Sequence, residues 1–238
     1  ERIDLNSTDQ PTILALQCAR FDAKINGSDP EDFPPIPKVD SGVVVKVDAT
    51  VLRDAISHVA FAAATEDSRP VLTGIKVEIS ADEVTFVATD GFRLAVYKGS
   101  LSEPAAEDSS FIIPAKALQE VSRLIGPQEE PIEFTVTPSQ SQALFRIGGT
   151  ELVTQLVQGT FPNYSQIIPP SYDTRVTVNL GEFHRATRAA SIFARDVSGI
   201  VRIHVLEGED QAPGRVSIQS RAEEVGENLG EIEAKVEG

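Results

Sequence analysis

Apolar and polar positions alternate along most of the chain, in short segments cut apart by glycine and proline. Val43-Val-Val-Lys-Val47, Ile75-Lys-Val-Glu-Ile79, Val84-Thr-Phe-Val-Ala88 and Leu94-Ala-Val-Tyr97 have the period-two pattern of strands. So do Ser110-Phe-Ile-Ile113, Ile132-Glu-Phe-Thr-Val136, Ala143-Leu-Phe-Arg-Ile147 and Leu152-Val-Thr-Gln-Leu-Val157. Residues 13–21, around Cys18, form a further strand-like stretch. Many strands at short spacing predict antiparallel sheets, hence an α+β rather than a βαβ architecture.

Three segments switch to helical periodicity, over 50–63, 115–125 and 181–195. In the first, Asp48 is placed to cap, and Leu52, Ala55, Ile56, Val59 and Ala63 fall on one face. The second has Pro114 at its first position and stops at Gly126-Pro127, which turns Leu118, Val121, Leu124 and Ile125 inward. The third, after Asn179, aligns Phe183, Ala186, Ala190 and Phe193. Helices this short need a sheet to pack against.

The chain also repeats itself. Val45-Lys-Val-Asp-Ala-Thr-Val-Leu-Arg-Asp-Ala55 recurs 131 positions on as Val176-Thr-Val-Asn-Leu-Gly-Glu-Phe-His-Arg-Ala186. The Gly74–Ile79 and Val84–Val87 hairpin is echoed by Gly199-Ile-Val-Arg-Ile-His-Val and Val216-Ser-Ile-Gln, with a longer turn over 206–214. Gly27-Ser-Asp-Pro30 with Ile36-Pro37 matches Gly159-Thr-Phe-Pro162 with Ile168-Pro169. Tandem domains follow, with expected boundaries at 1–40, 41–170 and 171–238: the tail of one copy, a whole copy and the first half of a third.

Composition narrows the function. With 238 residues, 41% of them apolar, the chain can bury a sizeable core. Its longest apolar run, 59–64, is too short to cross a bilayer, and no secretory signal is visible. The lone cysteine, Cys18, leans towards a reducing compartment, so a cytoplasmic location is expected. The absence of methionine suggests a piece of a longer protein. The net charge of -15 argues against nucleic-acid binding only if it is evenly spread. It is not. The three helices carry Arg53, Lys116, Arg123, Arg185, Arg188 and Arg195 against Asp54, Glu120 and Glu182, and the strongly acidic balance falls elsewhere. Such helices can touch phosphates without reading bases, or can equally be solvated faces.

No catalytic constellation stands out. His58, His184 and His204 lack a second ligand at metal-binding spacing, and no phosphate-binding loop, nucleophile elbow or zinc-protease motif occurs. No cofactor is expected. Asn6-Ser-Thr8, Asn26-Gly-Ser28 and Asn163-Tyr-Ser165 fit the glycosylation pattern and leave open a tandem β-domain adhesion or scaffold protein. A hydrolytic or carbohydrate-active enzyme is disfavoured, because nothing supplies its nucleophile or metal.

Arg69-Pro-Val-Leu-Thr-Gly74, followed by Val87-Ala-Thr-Asp-Gly-Phe-Arg-Leu-Ala-Val96, resembles the middle domain of the bacterial sliding clamps, the beta subunits of DNA polymerase III. Leu156-Val-Gln-Gly-Thr-Phe-Pro-Asn-Tyr164 with Ile167-Ile-Pro169 is similar to that family's junction between its second and third domains. The resemblance implies a DNA-clamp fold: tandem domains of antiparallel sheets, each with two helices on the inner face. It implies a non-catalytic processivity factor, closed as a homodimer ring around duplex DNA. The expected partners are the polymerase III alpha subunit, the clamp loader and other proteins carrying clamp-binding peptides, with no membrane.

Carried onto this chain, the family's peptide groove falls on Leu72, Thr89, Gly91, Phe92, Arg93, Leu94, Pro162 and Ile167. Leu72, Leu94, Pro162 and Ile167 would make its apolar floor, with Arg93 at the polar edge. Read without the family, Thr89–Leu94 is a tight turn for which Gly91 supplies backbone freedom. Many relatives have His where Phe92 stands and some a basic residue at Gln166, so this groove should be more apolar. The expected DNA-facing residues are Arg53, Arg69, Lys116, Arg123, Arg185 and Arg188. Arg69 has Glu66 and Asp67 beside it, and a loop ion pair is the alternative.

Overall fold

The computed structural model describes residues 2–7, 12–32, 41–66, 68–127, 129–194, 199–208, 213–224 and 226–238. Ile36, Pro37, Asp67, Arg195 and part of the 206–214 turn therefore lie outside the described residues. The chain divides into two compact units, Glu1–Pro162 and Asn163–Gly238.

The first unit begins with an antiparallel meander of β1 (Ile3–Ser7), β2 (Ile13–Cys18) and β3 (Phe21–Asn26). The single strand expected over 13–21 is instead two. Ala19 takes a φ of 51° and the chain reverses, so Cys18 pairs with Phe21. Cys18 is half-buried.

The remainder of this unit runs strand, helix and three strands, twice. The first run is β4 (Val43–Val47), α1 (Ala49–Val59), β5 (Gly74–Ser80), β6 (Glu83–Thr89) and β7 (Leu94–Ser100). The second is β8 (Ser109–Pro114), α2 (Ala115–Ile125), β9 (Ile132–Val136), β10 (Gln142–Ile147) and β11 (Thr150–Gln155). The runs exchange their leading strands. One sheet has the order β7-β6-β5-β8 and the other β11-β10-β9-β4, all antiparallel.

Helix α1 follows from its cap and stripe. Asp48 Oδ1 accepts from the backbone N–H of Thr50 at 2.8 Å and of Val51 at 3.4 Å. Ala49, Leu52, Ala55, Ile56 and Val59 are buried. The helix expected to reach residue 63 tightens at Ala60–Ala62 into a 3₁₀ turn, which still buries Ala62 and Ala63.

Helix α2 corrects two expectations. Pro114 is not its first residue but the last of β8, because the ladder pairs it with Gly74. Leu124 is 42% exposed rather than inward. The buried stripe is Ala115, Leu118, Val121 and Ile125, and Leu124 sits about 100° round the axis from Ile125.

Both helices pack beside one another and onto the sheets, closing a core centred on Phe111, Phe134 and Phe145. The Phe134 ring stacks on Phe145 at 5.2 Å and meets Phe111 edge-on at 6.0 Å. Strand β11 ends two residues earlier than expected. Leu156 and Val157 leave its ladder, their amides donating to the carbonyls of Ser141 and Ile112 at 2.8 and 2.9 Å. That step leads the chain from one sheet edge to β8 of the other.

The second unit contains β12 (Arg175–Val178), α3 (Leu180–Ala194), β13 (Arg202–Leu206), β14 (Gly214–Ala222) and β15 (Gly226–Glu237) in one sheet of order β12-β15-β14-β13. Its element order repeats the β4-to-β7 run. Asn179 takes the place of Asp48, its Oδ1 accepting from the Glu182 amide at 3.1 Å. Ser220 Oγ donates to the Ala190 carbonyl at 2.7 Å and ties α3 to β14. Gly99 and Gly230, 131 positions apart, each lie under a helix, against Val51 and Ala186 respectively. Among the described residues no helix is long and apolar enough to cross a membrane.

Candidate functional site

The turn between β6 and β7 is built by its own side chains. Thr89 pairs with Leu94 at the end of the ladder, and its hydroxyl donates to the Arg93 carbonyl at 2.8 Å while accepting from the Gly91 amide at 3.0 Å. Asp90 does the rest. Its Oδ1 accepts from the amides of Phe92 and Arg93 at 2.9 and 3.0 Å, and its Oδ2 from Arg93 Nε at 2.9 Å. Those two amide bonds, ahead of the Arg93 guanidinium, hold the Asp90 carboxyl below its ordinary pKa. Gly91 has a φ of 93°, which a side chain at this position would strain.

A second segment closes on this turn. Arg69 Nη2 donates to the Asp90 carbonyl at 2.9 Å, across 21 positions. A Cβ on Gly91 would come within 2.9 Å of the same guanidinium. Pro70–Thr73 forms a 3₁₀ turn in which the Leu72 amide donates to the Arg69 carbonyl at 2.9 Å and the Leu72 carbonyl accepts from Ala64 at 2.8 Å. Leu72 is only 5% exposed. Its neighbour Val71 is met by Gly159, whose φ is 133°. Three separate stretches, 69–74, 89–94 and 156–162, are thus fastened together within the first unit.

The groove residues named from the sequence differ in exposure. Thr89 and Leu72 are buried, Leu94 is half-buried, Gly91, Arg93 and Pro162 are exposed, and Phe92 is 96% exposed. Ile167 belongs to the second unit, where it follows the Tyr164–Gln166 turn and is 60% exposed. A cleft of about 700 Å³ in the second unit, lined by Arg202, Gln219, Arg221, Glu223 and Glu227 among others, includes none of these residues.

Of the helix cations, Lys116 and Arg123 on α2 and Arg185 and Arg188 on α3 are exposed. Arg123 Nη1 lies 2.8 Å from Glu120 Oε1, one turn back. Arg53 is half-buried. Two strand cations are paired: Lys46 with Glu103 of the loop after β7 at 2.9 Å, and Arg146 across the ladders with Glu133 and Glu151 at 2.9 and 3.3 Å. These carboxylates raise the pKa values of Lys46 and Arg146, chiefly through the hydrogen bonds themselves.

A family model for the DNA polymerase III beta subunit, central domain, matches residues 46–163. The beta sliding clamp of Staphylococcus aureus (strain Mu50) is 31% identical over 233 residues, which are 98% of this chain. The chain belongs to the bacterial DNA polymerase III beta subunit family.

Solved sliding clamps agree in fold. That of Bacillus subtilis superimposes with a TM-score of 0.84 at 26% identity, and the DNA polymerase III beta chain of Streptococcus pneumoniae with 0.83 at 26%, each over 99% of this chain. The chain spans about 60% of the length of the relatives it matches. The match to the beta subunit central domain includes all three stretches fastened around the β6–β7 turn.

Two residues of the site were missed by sequence reading. Asp90 was passed over between the conspicuous Thr89 and Gly91, although an Asp followed by Gly at a strand end signals a side-chain-capped turn. Gly159 carries no such signal in the sequence. Its contact with Val71 is set by tertiary structure.

Proposed function

We propose that the protein to which this chain belongs is a processivity clamp: a non-catalytic homodimer ring that encloses duplex DNA and tethers the replicative polymerase. The observation that carries this reading is the similarity to beta sliding clamps along almost the whole chain, with its central-domain match spanning the site. On this reading residues 1–40 end one clamp domain, 41–170 are a second, and 171–238 begin a third. The location is cytoplasmic, where replication takes place in bacteria.

Lys116, Arg123, Arg185 and Arg188 face the DNA, with Arg53 and Arg69 as lesser contributors. Four exposed cations with no built pocket suit transient contacts to phosphates and leave a duplex free to slide. On the sheets, Lys46 and Arg146 are held by carboxylates, which weakens their pull on phosphate.

Leu72, Thr89, Gly91, Phe92, Arg93, Leu94 and Pro162, all in the first unit, receive short hydrophobic peptides of the polymerase III alpha subunit, the clamp loader and other partners, and the resemblance adds Ile167. The turn supports this role. It holds a bare phenyl ring and a half-buried leucine on a backbone fixed by Thr89 and Asp90, which lowers the ordering cost of binding.

The test is retention of the full-length parent on DNA after loading. The protein should stay on closed circles and run off once the circle is linearised. Equal retention on both would reject encirclement.

A further inference from the structure

We infer that Phe61 and Arg69 are positioning residues for the partner groove, holding the β6–β7 turn from outside it. The inference rests on the groove assignment above and deepens it.

Phe61 is a large apolar side chain left 58% exposed at the end of α1. Its backbone has no latitude: it belongs to the Ala60–Ala62 3₁₀ turn, flanked by buried Val59, Ala62 and Ala63. The ring is therefore fixed outward, and the Arg93 guanidinium lies over it, its Cζ 5.6 Å from the ring centroid. On its other side the same guanidinium donates from Nε to Asp90 Oδ2 at 2.9 Å. A long, exposed arginine is thereby held by both an aromatic face and a carboxylate. Arg69 completes the frame by binding the Asp90 carbonyl from beneath Gly91.

A plain two-strand hairpin turn needs none of this. Thr89 and Asp90 already satisfy its amides, so the two outer holds add nothing that the ladder requires. Both come from one segment, residues 61–69, and among its described residues no other side chain is seen to hydrogen-bond to the turn. What they do fix is direction: the Arg93 head group, and with it the course of the backbone that presents Phe92. A groove whose rim is set before a peptide arrives binds more tightly than one that must order an arginine on contact. Arg93 is thus kept at the edge, and Phe61 acts through it.

The experiment uses the intact parent clamp and a fluorescent peptide from the tail of the polymerase III alpha subunit, read by fluorescence polarisation, with amide hydrogen exchange at Phe92 and Arg93 as the second readout. Phe61→Leu keeps the apolar bulk and removes the π face. It should weaken the peptide by about three- to tenfold and speed exchange at both amides, while Phe61→Tyr stays within about twofold of the parent. Arg69→Gln should act in the same direction. Leu94→Asp separates the two ideas. If it abolishes binding while Phe61→Leu and Arg69→Gln match the parent in affinity and exchange, the positioning role is overturned and the groove stands. If Leu94→Asp leaves affinity unchanged, the groove assignment fails and the positioning role goes with it.

Discussion

A methyl group placed on Gly159 would sit 2.7 Å from Val71 Cγ2, closer than packed carbons approach. Gly159 also has a φ of 133°, open to glycine and strained for other residues. The residue lets the 156–162 stretch press against the 3₁₀ turn that carries Leu72. Gly159→Ala is expected to cost about 2–4 kcal/mol from backbone strain and overpacking together. Urea denaturation measures the loss, and the same variant should bind the polymerase-tail peptide more weakly.

Asp90 gives a pH prediction with a definite sign. Its folded pKa is lowered by the amides of Arg93 and Phe92, so its hold on the turn is complete above the ordinary carboxylate range. That hold is lost only as pH falls through the depressed value. The Phe92 amide resonance should therefore titrate with a midpoint below about 3.9, and peptide affinity should not change on this group's account between about pH 6 and pH 8. Asp90→Asn retains the acceptor for both amides and should disturb the turn less than Asp90→Ala. An ordinary carboxylate midpoint for the Phe92 signal would contradict the assignment.

The aromatic core sets the stability of the first unit. Phe134 is fully buried between Phe111 and Phe145, and Phe134→Ala should cost about 3–5 kcal/mol in denaturant unfolding. In the second unit, Ser220→Ala removes a buried side-chain bond from β14 to α3 and should cost about 1 kcal/mol.

On α2, Glu120 pairs with Arg123, and under the proposed function it would compete with phosphate for that guanidinium. Glu120→Gln should strengthen non-specific duplex binding by the intact clamp and steepen its salt dependence by up to about one counterion. Lys116→Glu with Arg123→Glu should do the reverse. The slope of log affinity against log salt, measured with one duplex, separates these outcomes.

Local patterns carried the helices and most strands. Asp48 and the Leu52–Val59 stripe mark α1 from its own residues, and the 131-residue echo marks the recurrence of its run in β12 and α3. Legibility failed where a distant segment decides. Pro114 reads as a helix start until Gly74 pairs with it in the ladder. Leu124 counts as apolar, yet the stripe fixed by Leu118, Val121 and Ile125 passes it by. The 13–21 stretch looks continuous because Ala19 gives no warning of a left-handed turn. Arg69 was placed near DNA by resemblance, with its own acidic neighbours as the alternative. Its hydrogen bond reaches across 21 positions to a carbonyl, and no residue pattern advertises a carbonyl. The Thr89–Leu94 turn was legible because adjacent side chains build it, whereas its part in a groove comes from the family resemblance alone.

The swap of leading strands between the two runs of the first unit has a mechanical meaning. With β4 stitched into the far meander and β8 into the near one, neither run can peel away without unzipping the other's sheet. A link made this way has no weak half. Under load it stays shut until the whole of it gives, which is what the ring proposed above would ask of each of its segments.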